Sequence, residues 1–359
     1  MSASSLKLQF RELLKKVGSG SHTSKDLTRS EAATATRLML QQEATPAQIG
    51  AFMIAHRIKR PTAEELAGML DAYDKIAGKI PVLNPTPAYP VTVFGVPYDA
   101  RSRTAPVFPI TLLLLASVGV PVIFHGGESM PTKYGIPFVE IWEALGVNYR
   151  SLSLNGSQQL LAKTGIGFYY IPQHFPETYQ LIPYREDLGK RPPFATVELI
   201  WSPYAGEANI ISGFVHPPTE DRFREIFGLR EMNQLITVKG LEGSCDLARN
   251  RTGIVGISEQ EKAFQRLHLH PENYGLAGRD VLLESVGKLT EQLKTVIAGK
   301  PGELMSAALW NGGVYLWLCG VFSDLETGLT KAEELIKTGV VADKLEELID
   351  QRSQQAPPV

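Results

Sequence analysis

Apolar residues recur at intervals of three and four through residues 6 to 78, which predicts four amphipathic helices: LKLQFRELLKKV, SEAATATRLMLQQE, TPAQIGAFMIAHRIK and TAEELAGMLDAYDKIA. Their starts carry capping signals. Thr28 precedes Glu31 and Thr62 precedes Glu65 at capping-box spacing, and Thr45 with Pro46 opens the third helix. Past residue 90 the pattern changes. Short apolar runs, VTVFGV, VPVIFHG, GIGFYYIP, NIISGFV and QLITVKG, predict buried strands. They alternate with the helical segments TLLLLASVG, PFVEIWEALG and TEDRFREIFGL before a long C-terminal helical pair. The proline-rich VLNPTPAYP, residues 82 to 90, cannot continue a helix and marks a hinge. The expected architecture is therefore α/β. A small helical N-terminal domain, residues 1–84, is hinged to a larger α/β domain, residues 85–352, with a central mixed sheet flanked by helices. Residues 353–359, SQQAPPV, are expected to form a disordered tail.

Composition narrows the class. The 359 residues are 43% hydrophobic and 21% charged, which suits a globular chain and excludes a disordered one. Two cysteines, Cys245 and Cys319, are too few for a disulfide framework or a four-cysteine zinc site. The start MSASSLKLQFRELLKK has no apolar stretch of the secretory kind, so a cytoplasmic location is expected. Two windows, Thr104 to Gly127 and Leu304 to Ser323, carry no charged residue, yet prolines and glycines divide them, so buried core segments are expected and no membrane span. The net charge of −2 hides an asymmetry. Residues 1 to 60 hold ten Lys or Arg against four Asp or Glu, a surface able to attract a polyanion. His268 and His270 are spaced for opposite faces of a strand and do not point to a shared metal. The run Phe168, Tyr169, Tyr170 reads as packed strand.

The order of these pieces resembles the anthranilate phosphoribosyltransferase family over some 300 residues. TPAQIGAFMIAHRIKRPTAEELAGM looks like its N-terminal helices, and GVPVIFHGGES like its GVPVAKHGNRS strand and loop. EALGVNY, GIGFYYIPQHFPE and YREDLGKR follow in the family's order, and ALWNGGVYLWLCGV resembles its closing core helix. The resemblance implies transfer of phosphoribose from PRPP to the amine of anthranilate, with pyrophosphate released and magnesium bound, and a homodimer through the helical domain.

Carried over residue by residue, the resemblance implies a site with several departures. The family's GTGGD loop, whose backbone N–H groups hold phosphate, corresponds to VFGVPYDAR. Gly95 and Asp99 match, while Pro97 removes a donor, so a weaker pyrophosphate cradle is expected. Arg101 and Arg103 are expected either to contact the phosphates directly or to be a solvated loop pair. The family's KHGNR loop corresponds to Phe124, His125, Gly126, Gly127 and Glu128, followed by Ser129; Glu128 adds negative charge where an anion would sit. His125 and Arg185 are the catalytic candidates. Arg185 and Arg191 flank Leu188 and Gly189 as forked guanidinium groups suited to an anion. The magnesium-binding acids correspond to VKGLEGSCDL, where Asp246 matches the second acid and Cys245 replaces the first, with Glu242 as the substitute ligand. A divergent branch of the same family, which also lacks these two loops, is associated with nucleic-acid binding. Single-stranded nucleic acid is accordingly the alternative partner, without catalysis.

Overall fold

Helices form where the 3.6-residue pattern puts them, as α1 (Ala3–Gly18), α2 (Arg29–Leu40), α3 (Pro46–Lys59) and α4 (Ala63–Ile76). The computed structural model describes residues 3–20, 22–96 and 100–355. Complete capping boxes start α2, α3 and α4 at Thr28, Thr45 and Thr62; in the second, Gln48 plays the part of the glutamate. The apolar faces meet through Phe10, Leu38, Phe52 and Leu66, all buried.

The five predicted strands are β1 (Val91–Gly95), β2 (Val122–Gly126), β3 (Ile166–Tyr170), β4 (Ala208–Gly213) and β5 (Gln234–Val238). They run parallel, and two further strands, β6 (Gly253–Glu259) and β7 (Gln265–Leu269), continue the sheet antiparallel in the order β3-β2-β1-β4-β5-β6-β7. Alternation along each strand sends neighbouring residues to opposite faces. Val93, Ile123, Tyr169, Ile210 and Leu235 join the core that contains α1 to α4. Phe94, Phe124, Phe168, Ile211 and Ile236 join a second core with Trp142 and Tyr315. The helical lobe thus shares its core with one face of the sheet. Trp201 bridges them, with ring contacts to Tyr73 of α4, Tyr169 of β3 and His125 of β2.

Two expectations are corrected. The C-terminal helical pair is four helices, Val286–Ile297, Met305–Leu318, Leu325–Lys337 and Val340–Ser353. Ser353 closes the last of them, so the expected tail begins inside a helix; residues 356–359 lie outside the described residues. The two uncharged windows contribute the buried helices Phe108–Ser117 and Met305–Leu318, and among the described residues no helix is long and apolar enough to cross a membrane.

Candidate functional site between the lobes

The parallel strand order reverses between β1 and β4, and open α/β sheets bind ligands beyond the carboxyl ends of strands at such a point. Glycines let the strand ends come close to their neighbours here. A Cβ on Gly95 would overlap the Leu199 carbonyl, and one on Gly213, at the end of β4, would overlap the carbonyls of Gly243 and Ser244. The loop after β5, Lys239 to Leu247, is thereby pressed onto β4. The helix Met305–Leu318 holds it from below. Asn311 accepts from the Leu247 N–H at 2.7 Å and donates to its carbonyl at 3.3 Å, and the Tyr315 hydroxyl donates to the Cys245 carbonyl. Cys245 is buried in this turn, and burial raises its thiol far above the ordinary range, so it is no nucleophile at neutral pH.

Arg101 holds the same loop from above. Its side chain is 1% exposed, which overturns both expectations for it, the phosphate contact and the solvated loop. Nη1 donates to Asp246 Oδ2 and Ser244 Oγ, each at 2.9 Å, and Nη2 donates to the Thr104 hydroxyl. Asp246 Oδ2 also accepts from the Val107 N–H at 3.1 Å, leaving only its buried Oδ1 without a hydrogen bond. Glu242 caps the neighbouring turn. Its Oε1 accepts from the N–H groups of Arg103 and Thr104 at 3.0 and 2.9 Å, its Oε2 from that of Ser102 at 3.2 Å, and Lys133 stands 3.2 Å away. Burial raises this carboxyl, but Lys133 and the N–H donors outweigh it and hold Glu242 well below the usual carboxylate range. These contacts offset the left-handed backbone of Glu242, φ 56°.

The metal expectation for Asp246 and Glu242 is corrected on that geometry. A magnesium ion takes about six oxygens at 2.0–2.1 Å. Here one carboxylate is held by a guanidinium and the other by a fan of backbone donors, and among the described residues no cluster of three or more His, Cys, Asp or Glu could hold a metal. The residues present do not fit an ion bound to these two acids.

The expectation for His125 is corrected as well. It is 0% exposed on β2, facing Trp201, and is not among the residues that line the groove. Burial lowers its pKa to about 4, so the ring is neutral at pH 7. Gly126 and Gly127 are buried at the same strand end, Ser129 is exposed, and none of the three lines the groove. The charge expected of Glu128 is balanced locally, because Arg150 donates to both its oxygens at 2.7 and 2.9 Å. Gly95 serves packing and does not line the groove either. Asp99 falls outside the described residues.

Four predicted residues do come together. Arg103, Arg185, Arg191 and Glu242 line a two-chambered groove. The chamber between the lobes, about 710 Å³, runs from the end of α3 to the end of β4, and Arg57, Arg60, Arg185, Arg191 and Arg222 face it. The second, about 790 Å³, shares Arg191, Val215 and Glu242 and adds Arg103, Lys133, Lys239 and Arg251, with Asp280. Arg185 is fixed by Glu198 at 2.9 Å, and Glu198 also accepts from Tyr73 of α4 at 3.2 Å. The lobes are tied directly as well, since Arg57 Nε donates to the Arg191 carbonyl at 3.0 Å. Arg57, Arg60, Lys133, Arg222, Lys239 and Arg251 were missed. For the first two the signal was in the sequence: the run AHRIKRP puts basic residues where α3 ends.

Comparison with known proteins agrees with this layout. A family model described as the helical bundle domain of the glycosyl transferase family matches residues 11–76, and one described as the family's a/b domain matches residues 107–342. Anthranilate phosphoribosyltransferase of Paracidovorax citrulli is 26% identical over 317 residues, covering 87% of this chain and 89% of that one. Among solved structures, anthranilate phosphoribosyltransferase of Saccharomyces cerevisiae in complex with PRPP and Mg superposes with a TM-score of 0.80 at 18% identity, covering 97% of this chain and 99% of that chain. The enzyme of Thermus thermophilus gives 0.76 at 20% identity, covering 95% and 99%. Both likenesses show the fold.

Proposed function

The chain belongs to the glycosyl transferase family, and from that premise we propose that it is a phosphoribosyltransferase-like protein of the anthranilate phosphoribosyltransferase type. PRPP occupies the interlobe chamber, phosphoribose passes to an aromatic amine, and pyrophosphate leaves. The observation that carries this reading is the chamber itself. About 710 Å³ at the strand switch point, faced by five arginines, suits a compact polyanion. Transfer of this kind builds negative charge on the departing pyrophosphate, and preorganised guanidinium groups stabilise it at little reorganisation cost. Arg185 is braced by Glu198. Magnesium accompanies PRPP in the yeast complex, and in this reading it travels with the diphosphate of the ligand. The test is incubation with PRPP, magnesium and anthranilate. Pyrophosphate release above a protein-free control is expected, falling at least about tenfold in Arg191→Ala if the lost contact is worth about 1.4 kcal/mol. Absence of turnover with every aromatic amine tried removes the reading.

One observation favours a second reading, nucleic-acid binding without catalysis: the groove continues past the compact chamber. Nine Lys or Arg line the two chambers against Glu242 and Asp280, a track longer than one diphosphate needs. Anisotropy with a labelled single-stranded oligonucleotide decides it. Binding that falls steeply with salt and is lost in Lys239→Glu/Arg251→Glu supports it, and no binding at low salt ends it. A homodimer through the helical lobe belongs to the same proposal, with Leu8 of α1 exposed by 49%, and light scattering checks it. A cytoplasmic location is likewise proposed, and cell fractionation tests it.

A further inference from the structure

We propose that Arg101 is a built-in cation that replaces a protein-held divalent ion at Asp246 and Glu242, so that this chain needs no metal ion bound to its own carboxylates. Several independent contacts put the guanidinium there. Nη1 lies 2.9 Å from Asp246 Oδ2, and Nε lies 3.4 Å from Glu242 Oε1, so one planar fork spans both acids. Ser244 accepts from Nη1 as well, and Thr104 accepts from Nη2. The backbone of Arg101 is anchored too, its carbonyl accepting from the Ile136 N–H at 2.9 Å. A side chain 1% exposed cannot exchange with solvent as a hydrated ion does.

The physical consequence concerns permanence. A magnesium ion at such acids is a ligand in equilibrium with the medium, lost when a chelator is added. A guanidinium is covalent, always charged and insensitive to chelators. It brings one positive charge instead of two and offers no open coordination position. The loop from Lys239 to Leu247 is therefore locked in one shape whether or not metal is present, and the groove wall at Glu242 keeps that shape for any ligand. The inference stands on these side chains and not on the ligand assigned to the groove, so the protein alone suffices for its test.

Two measurements decide it. Calorimetric titration of the full-length protein with MgCl2 and with MnCl2 is expected to give no saturable heat, and Tm is expected to agree within about 1 °C in EDTA and in millimolar magnesium. Arg101→Ala leaves two buried carboxylates facing each other, and its Tm is expected to fall by on the order of 5–10 °C. Part of that loss should return on adding millimolar Mn2+ to the variant, and part should return in Arg101→Ala/Asp246→Asn, which removes the uncompensated charge. Saturable magnesium or manganese binding by the unmodified protein, or a rise of its Tm with either metal, overturns the inference. So does an Arg101→Ala variant that folds but responds neither to Mn2+ nor to the second substitution. If Arg101→Ala does not fold, the titration of the unmodified protein decides alone.

Discussion

Gly240 has no space for one more carbon: a Cβ there would overlap the carbonyl oxygen of Ser244 at 1.9 Å and would also crowd that of Asp246 at 2.9 Å. The neighbours are backbone and cannot rotate away, so Gly240→Ala must displace the loop that carries Glu242 and Asp246. A loss of about 1–3 kcal/mol is expected, read as a lower urea midpoint with an unchanged m-value. Asn311 fixes the same loop through polar contacts. Asn311→Ala strands the buried Leu247 N–H, and a cost of about 1–3 kcal/mol is expected in the same assay. Neither residue could be valued from its type. An asparagine in an apolar helix and a glycine after a strand have many ordinary explanations; only the loop packed against both of them makes these specific.

At the scale of the element, α4 shows how a local signal acquires a tertiary use. The Thr62–Glu65 capping box was legible in the sequence, and it forms, with the Thr62 N–H donating to Glu65 Oε2 at 2.7 Å. The same carboxylate also accepts from the Leu27 N–H at 3.0 Å and from Lys59 at 2.8 Å, with His56 Nε2 at 3.5 Å. Burial pushes the carboxyl up, but His56, the Leu27 N–H and Lys59 outweigh it and bring its pKa to about 2 from 4.5. The folded-state value is depressed, so the ionised form stabilises the fold above pH 4.5, and that contribution is lost as pH falls from 4.5 toward 2. It amounts to about 3 kcal/mol at neutral pH. Glu65→Gln is expected to lower Tm at pH 7, and the gap to the unmodified protein should narrow as pH is taken down to 3. A gap that does not change with pH would assign the effect to packing.

Across the whole molecule, the groove exists because two lobes meet. Arg57 and Arg60 come from the end of α3, Arg185 and Arg191 from the segment between β3 and β4, and Arg222 from the helix after β4. Reversing charge on one side tests whether they act together. Arg222→Glu is expected to weaken binding of a diphosphate ligand about tenfold at low salt, and less at high salt, where the Debye length falls below the width of the groove. Titration of inorganic pyrophosphate at two ionic strengths is the measurement. A loss independent of salt would mean that the substitution had distorted the site and not its potential.

The hydrophobic pattern by itself determined the helical lobe, the five parallel strands and their order along the chain, because periods of 3.6 and 2 follow from backbone geometry and burial alone. It did not yield β6 and β7. In β7 the residues from Gln265 to Leu269 are mostly exposed, so no buried stripe announces that edge strand. For the groove, the motifs pointed to Arg103, Arg185, Arg191 and Glu242, which line it, since glycine-rich strand ends and paired arginines are local features. What became of Arg101, Asp246 and His125 was decided by tertiary structure. Whether a charge meets a ligand or another side chain depends on which distant segment reaches it first. Arg101 and Asp246 are 145 positions apart in sequence and 2.9 Å apart in space.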